Sequence, residues 1–186
     1  MTAAWDELAG RIRGCTACEE LASTRIQVVP GVRPPGARLV LVGEAPGATE
    51  DETGVPFAGR AGKLLDGVLT DVGLDRARVA VVNVLKCRLP ANRKPARAEV
   101  ASCRPWLDRQ LDLAAPELVV SLGGTAAEWF LGNGVRLGAS RGVVHEVGGR
   151  RVVVTYHPSA ALRFGPKGAP MTALRADLAW VAELLG

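Results

Sequence analysis

The chain has 186 residues, 48% of them hydrophobic and 23% charged, which suits one soluble globular domain over residues 1–186. No run approaches the roughly 18 apolar residues of a membrane helix, and no signal-peptide pattern is present, so we expect a cytoplasmic protein without membrane contact. The net charge is +4, but residues 86–109 and 141–175 carry +5 each and the remainder carries −6. This distribution favours contact with a polyanion, although two solvated basic loops explain the charge equally well.

Short aliphatic runs alternate with helical patterns along the chain. Strands are predicted over 38–44, 79–85 and 117–123, and a hairpin turning at Gly148-Gly149 is predicted over 143–157. Apolar stripes predict helices from Leu64 to Val72, over 125–132, and from Met171 to Leu185. Buried strands separated by helices imply a parallel sheet covered on both faces. In such folds, ligands bind at the carboxyl ends of the strands.

Four cysteines come from three places in the chain. Cys15 and Cys18 form a C-x2-C pair, which we expect within an N-terminal helical segment, while Cys87 follows the second strand and Cys103 lies further along. In a reducing compartment, four thiolates indicate zinc or a [4Fe–4S] cluster rather than disulfides, and the spacing alone does not choose between the two. Either would fix the shape of the basic segment, whose cations for a phosphate backbone are Arg88, Arg93, Lys94 and Arg97.

The loop GEAPGATED, residues 43–51, follows the first predicted strand and matches no nucleotide-binding signature. Gly43 and Gly47 would let the backbone approach a ligand closely. Glu44, at the first turn after the strand, could face a developing positive charge or a water molecule. It could equally complement the dipole of a following helix.

Three further side chains are candidates for a ligand site at the strand ends. Asn83, near the end of an apolar strand, can both donate to and accept from a pyrimidine edge. Phe57, in a glycine-flanked loop, could form a stacking platform, although a core position is the commoner use of phenylalanine. His157 follows the last strand and precedes a proline, which would hold its side chain at a pocket rim, whereas His145 is interpreted as structural.

Several motifs in one order resemble those of the family 4 uracil-DNA glycosylases, namely GEAPGATED, GVPFAGRAGKLL, NVLKCR and HPSAALR. The resemblance extends from Cys15 to the last helix. It implies a three-layer α/β/α sandwich with a central four-stranded parallel sheet. It also implies a DNA repair enzyme that flips uracil out of DNA and hydrolyses its N-glycosidic bond, with a [4Fe–4S] cluster on Cys15, Cys18, Cys87 and Cys103.

The resemblance also implies roles for single residues. Glu44 and His157 would be catalytic, with His157 bonded to uracil O2, while Phe57 would stack on the base and Asn83 would bind its edge. The remaining substrate contacts would come from the backbone of the first loop and from a carboxylate that excludes thymine, namely Gly43, Ala45, Gly47 and Glu50. The segment that enters DNA would contribute Ser159, Leu162 and Arg163.

Uracil-containing DNA is the expected partner of a monomeric protein, and contact with a sliding clamp is left open. A related group traps DNA covalently through a histidine in the loop after the second strand, but residues 87–103 contain no histidine, which disfavours such a trap here. Two other classes compete with the glycosylase. A zinc-stapled nucleic-acid-binding module explains the cysteines and basic segments but not the strand-end side chains. An iron–sulfur electron carrier has no use for two basic loops.

Overall fold

Aliphatic strands form one sheet at the centre of the protein, in a computed structural model that describes residues 2–186. The sheet order is β2-β1-β3-β5-β4. The strand bounds are β1 Leu39–Gly43, β2 Val79–Asn83, β3 Leu118–Leu122, β4 Val144–Val147 and β5 Arg150–Thr155. Strands β1, β2, β3 and β5 run parallel, so their carboxyl ends meet at one edge.

Eight α-helices flank this sheet within the described residues. They are α1 Thr2–Arg13, α2 Glu19–Thr24, α3 Ala48–Thr53, α4 Arg60–Asp71, α5 Arg97–Ala114, α6 Gly124–Leu131, α7 Pro158–Phe164 and α8 Ala169–Leu185. None of these helices is long and apolar enough to cross a membrane.

The sheet has five strands rather than the four expected. The predicted hairpin is present, with Gly148 and Gly149 in the left-handed region at φ of 55° and 75°. Its first arm, β4, pairs antiparallel with β5 and so adds an edge strand to the four parallel ones. The first arm is half-buried, whereas the last four residues of β5 are buried, as fits an edge strand beside an inner one.

Successive side chains of a strand point to opposite faces of the sheet, so the apolar strands contribute to two hydrophobic cores, one on each face. On one face, Leu41 and Val81 pack with Leu65 of α4 and Leu178 of α8. On the other face, the buried partners include Val40 and Val82 of the sheet, Leu107 of α5, Trp129 of α6 and Trp5 of α1. Because both faces are covered by helices, the predicted α/β/α sandwich is confirmed.

The cysteine pair lies outside the helices, contrary to the expectation. Cys15 and Cys18 occupy the connection between α1 and α2, with Cys18 directly before the first residue of α2. A third cluster of buried residues packs this connection against the segment after β2, and it includes Ile12, Leu21 and Leu85. The N-terminal helices are therefore anchored beside the carboxyl end of β2.

Candidate active site

The loops that leave the parallel strands surround one cavity of about 440 Å³, which lies in the range of small-ligand sites. Four side chains that are far apart in the sequence line it together, so their predicted convergence is confirmed. They are Glu44, Phe57, Asn83 and His157. Of the other expected contacts, Ala45, Gly47 and Glu50 also line this cavity.

Asn83 lines the cavity and has an unused hydrogen-bond acceptor. Its side chain is 2% exposed, and its Oδ1 is buried with no hydrogen-bond partner among the described residues. Such an atom costs stability, of order 1–3 kcal/mol, until a donor fills the position. The register of the sheet pairs Asn83 with Gly43, the last residue of β1. The described residues therefore supply no donor to this carboxamide oxygen.

Gly43 is a glycine because two site residues occupy the space of a side chain. A Cβ there would lie 2.4 Å from Oδ1 of Asn83 and 2.7 Å from Cζ of Phe57. Gly43 thus allows the carboxamide and the ring to share one wall. The sequence predicted a close backbone approach at this position, and the structure shows that the approach is to these two side chains.

Phe57 adopts a backbone conformation that is unusual for its type, with φ of 57°. Its carbonyl oxygen would lie only 1.5 Å from a Cβ on Gly62 in α4, so that glycine is required for the loop to pack on the helix. The ring is 8% exposed, and its centroid lies 5.6 Å from that of His157. Sequence reasoning missed Gly62, although its place in the GVPFAGRAGKLL run was a signal.

His157 is held in one orientation as the N-cap of α7. The backbone N–H of Ser159 donates to Nδ1 at 3.1 Å, and the Ser159 hydroxyl lies 2.8 Å from the same nitrogen. Because Nδ1 accepts, the neutral ring carries its proton on Nε2. Burial lowers the pKa of His157 to about 4, although the nearby charge of Glu50 acts in the opposite direction. The ring is therefore a neutral N–H donor near neutral pH.

A close backbone contact lets His157 reach the cavity beside β3. Gly123, at the end of β3, has φ of 89°, and a Cβ there would lie 2.9 Å from Cβ of His157. The other histidine, His145, places Nε2 2.8 Å from the carbonyl oxygen of Ser140, in the edge region of the sheet. Only His157 lines the cavity.

Glu50 joins two loops beneath the cavity. Its carboxylate accepts from the backbone N–H of Gly47 at 3.0 Å and from that of Gly59 at 2.8 Å. The first bond closes the N-terminus of α3, and the second reaches the N-cap of α4. Glu50 therefore positions the loop of Phe57, and its expected role against the carbon 5 position of a pyrimidine stays a prediction.

Glu44 stands between the cavity and a neighbouring groove of about 650 Å³. Its Oε2 accepts from the hydroxyl of Thr125, in the first turn of α6. No hydrogen bond to Oε1 is present within residues 2–186, so that oxygen is available to a ligand or water. Thr125 was missed by sequence reasoning, because the contact joins positions that are distant in the chain.

The side chains expected to contact DNA differ in exposure and in the hydrogen bonds that they already form. Arg93 donates to Glu99 at 2.6 Å and to Glu20 at 2.9 Å, and these bonds raise its pKa further. Arg88 is half-buried, with Nε lacking a partner among the described residues. The others are exposed, namely Lys94, Arg97, Ser159, Leu162 and Arg163. Their contact with DNA stays a prediction.

The four cysteines surround one small cavity and form no disulfide. Side-chain donors point at two of the sulfurs: Arg25 Nη1 lies 3.3 Å from Sγ of Cys87, and Trp106 Nε1 lies 3.3 Å from Sγ of Cys15. Burial raises the pKa of Cys87 to about 11, so a bound cation would be needed to keep it a thiolate at neutral pH.

Four cysteines around one cavity, with N–H donors at two of the sulfurs, are a donor set that fits an iron–sulfur cluster. No three His, Cys, Asp or Glu side chains among the described residues are grouped to hold a single metal ion. In a [4Fe–4S] cluster each thiolate binds a different iron, so the sulfurs stand around the group rather than meeting at its centre. N–H donors to the sulfurs are typical of such sites.

The fold and the cavity together define an α/β protein with a cavity of small-ligand size at the carboxyl ends of its parallel strands. A family model described as the uracil DNA glycosylase superfamily matches residues 30–179. That span covers most of the chain and includes all four side chains of the cavity. The chain therefore belongs to the uracil-DNA glycosylase superfamily.

Several proteins that are similar in sequence to this chain are type-4 uracil-DNA glycosylases. The chain is 43% identical to a type-4 uracil-DNA glycosylase of Thermotoga maritima, over 82% of this chain and 80% of that protein. It is 41% identical to the type-4 enzyme of Archaeoglobus fulgidus, with 84% and 82% covered. A type-5 uracil-DNA glycosylase of Pyrobaculum aerophilum is 32% identical, with 83% and 82% covered. The predicted resemblance to family 4 is thus confirmed.

Proposed function

We propose that the protein excises uracil from DNA, releasing the free base and leaving an abasic site. One observation carries the proposal: Asn83, whose Oδ1 has no hydrogen-bond partner among the described residues, lines one cavity together with the ring of Phe57 and with His157. Uracil offers the complementary pattern, with an N3–H donor between two carbonyl acceptors. The names of the relatives agree with this assignment.

The target base is inaccessible in a stacked duplex, so the nucleotide must rotate into the cavity, at a cost of a few kcal/mol. Phe57 would then stack on the base, while Asn83 accepts from N3–H. Cleavage of the glycosidic bond leaves negative charge on uracil. The Nε2–H of His157 would stabilise this charge at O2, as a preorganised donor does in an oxyanion hole.

The backbone of the first loop contributes less to this stabilisation than its sequence suggests. The N–H of Gly47 already donates to Glu50, and Pro46 has no N–H. Ala45 lines the cavity and remains as the proposed backbone donor. Glu44, held by Thr125, would face the sugar, where it stabilises positive charge or orients the attacking water.

The direct test is incubation of the pure protein with a single oligonucleotide duplex containing one uracil, followed by alkaline cleavage at abasic sites. We expect strand cleavage at the uracil position and release of free uracil. Duplexes with thymine or cytosine at the same position are the matched controls. Intact uracil-containing strands would overturn the proposal and favour a binding module without catalysis.

We propose further that Cys15, Cys18, Cys87 and Cys103 hold a [4Fe–4S] cluster. The group would act structurally, by joining the α1–α2 connection to the segment after β2 and to α5. Iron and sulfide analysis together with the visible absorption spectrum tests this assignment. A colourless protein with stoichiometric zinc would contradict it.

The groove beside Glu44 supports a route for the flanking DNA strand. It is lined by Lys94, Arg97 and Arg104, whose side chains form no ion pair among the described residues. Arg104 also stacks on the ring of Trp129, with its guanidinium carbon 4.5 Å from the ring centroid. Stacking orients the guanidinium while leaving its N–H edge for a phosphate.

Replacing Arg104 by alanine should therefore weaken binding to a duplex and make it less dependent on salt. For each phosphate that the protein no longer neutralises, we expect the slope of log affinity against log salt to fall by about one. Fluorescence anisotropy over a range of salt concentrations measures this slope. Arg78→Ala is the matched control, because Arg78 is exposed before the amino end of β2, at the opposite edge of the sheet. Equal slopes in the two variants would remove the groove from the DNA route.

A further inference from the structure

Lys86 is the most unusual buried residue in the protein. It is 1% exposed, and no ion pair involves it among the described residues. Its ammonium donates to the backbone carbonyl oxygen of Asn83 at 2.5 Å. A buried ammonium is costly unless negative charge compensates it. The compensating charge must therefore come from a group other than a carboxylate.

The cysteine site supplies that charge. Lys86 lines the same small cavity as the four cysteines and directly precedes one of them, Cys87. Four thiolates around a [4Fe–4S] core in its 2+ state carry a net negative charge. The positive charge of Lys86 would then be balanced by this negative charge.

The same ammonium also touches the base-binding wall. Asn83 lines the base-binding cavity and has an unpartnered side-chain Oδ1, while its main-chain carbonyl is the acceptor for Lys86. The segment between the two residues is tied to β1 and its loop, because Val84 and Leu85 donate to the carbonyl oxygens of Gly43 and Glu44. Lys86 thus donates to the residue expected to bind the base edge and also lines the cavity of the four cysteines.

We propose that Lys86 is a positioning residue that couples the cysteine-bound group to base recognition, holding the Asn83 carbonyl with an ammonium balanced by the thiolates. This inference rests on the proposed function and deepens it. Loss of the positive charge would release the end of β2 and let the Asn83 carboxamide leave its position. The cluster, although remote from the reacting bond, would then contribute to uracil affinity.

The test is a double-mutant cycle of Lys86→Met and Asn83→Ala, with the binding of free uracil measured by calorimetry. Methionine is close in shape to lysine but has neither the charge nor the donors. We expect each single variant to weaken uracil binding by about tenfold or more. In the Lys86→Met background, Asn83→Ala should cost less than about threefold, because the carboxamide is already displaced. Iron content and visible absorption, which report on the cysteine site, should fall in Lys86→Met but not in Asn83→Ala.

Two controls separate this coupling from simple packing. Lys63→Met changes an exposed lysine on α4 and should leave uracil binding and iron content unaltered. Lys86→Arg keeps the charge and the donors but is bulkier, so coupling predicts that it retains more uracil affinity than Lys86→Met, whereas a packing role predicts the reverse. If Lys86→Met fails to fold, Lys86→Gln, which also lacks the positive charge, takes its place in this comparison.

Outcomes that overturn the proposal differ from those that overturn the function. If the unaltered protein neither binds nor releases uracil, the proposed function itself is wrong. If the unaltered protein binds uracil and Asn83→Ala weakens binding, but Lys86→Met binds normally, only the coupling is wrong. If the losses of uracil affinity in the two single variants multiply in the double variant, the two residues act independently, and the coupling is also wrong.

Discussion

Alanine at position 157 is expected to lower the rate constant of uracil excision by about 10²–10³-fold, the effect of removing one preorganised donor from a developing anion. The physical reason is that the neutral ring of His157 is held in one tautomer, with its proton on Nε2. The backbone N–H of Ser159 occupies Nδ1, so Nε2–H is the only donor that the ring can offer to the cavity. Single-turnover measurements with a uracil-containing duplex isolate this step from product release.

A matched control distinguishes the donor from the local structure. Ser159→Ala removes the hydroxyl beside Nδ1 but keeps the backbone N–H that caps α7, so the ring stays oriented and the rate should change only slightly. Thermal unfolding should show that both variants remain folded. Near-normal excision by His157→Ala would remove this side chain from the mechanism.

The same histidine predicts the behaviour of the enzyme in acid. An ordinary histidine titrates near pH 6.5, whereas burial lowers the pKa of His157 to about 4. The neutral donor should therefore persist as the pH falls from 7 to 5, and the single-turnover rate should show no step near 6.5. When the pH falls, the unfolded chain takes up a proton at this histidine before the folded protein does, because the pKa is higher in the unfolded chain. Stability tied to the neutral ring is thus complete above about pH 6.5 and declines as the pH approaches 4.

Sequence patterns located the candidate site because they depend on topology. Glu44, Asn83 and His157 each lie at or near the end of a run predicted as a strand, and the carboxyl ends of parallel strands meet at one edge. These sequence patterns could not predict contacts between residues that are distant in the chain. The ion pair between Arg93 and Glu20 and the hydrogen bond from Thr125 to Glu44 join residues from distant parts of the chain.

Other differences have local physical causes. Cys15 and Cys18 lie outside helices because the chain turns between α1 and α2. The motif resemblance counted only the parallel strands, but the first arm of the predicted hairpin also pairs at the edge and makes a fifth. Both oxygens of Glu50 accept from backbone N–H groups, a positioning role that its motif did not predict beside its expected contact with the base. An isolated sequence motif does not show which partner a carboxylate has.

Glutamine at position 44 is expected to lower the excision rate constant by a similar factor, about 10²–10³. The substitution keeps the size of the side chain and an oxygen that can accept from Thr125, so it removes little except the negative charge. At an effective dielectric near 20, two unit charges about 4 Å apart interact by roughly 4 kcal/mol. A carboxylate facing an oxocarbenium-like sugar therefore has enough energy to account for the predicted loss, since about 1.4 kcal/mol corresponds to a tenfold change in rate.

The role of Glu44 can be separated from that of its neighbours. Thr125→Val removes the hydroxyl that orients the carboxylate but leaves its charge, so we expect a loss that is clearly smaller than that of Glu44→Gln. Free uracil should bind Glu44→Gln about as well as the unaltered protein, because the base contacts Asn83, Phe57 and His157 rather than the carboxylate. A large loss of uracil affinity with an unchanged rate constant would show that Glu44 shapes the base-binding cavity and does not act on the sugar.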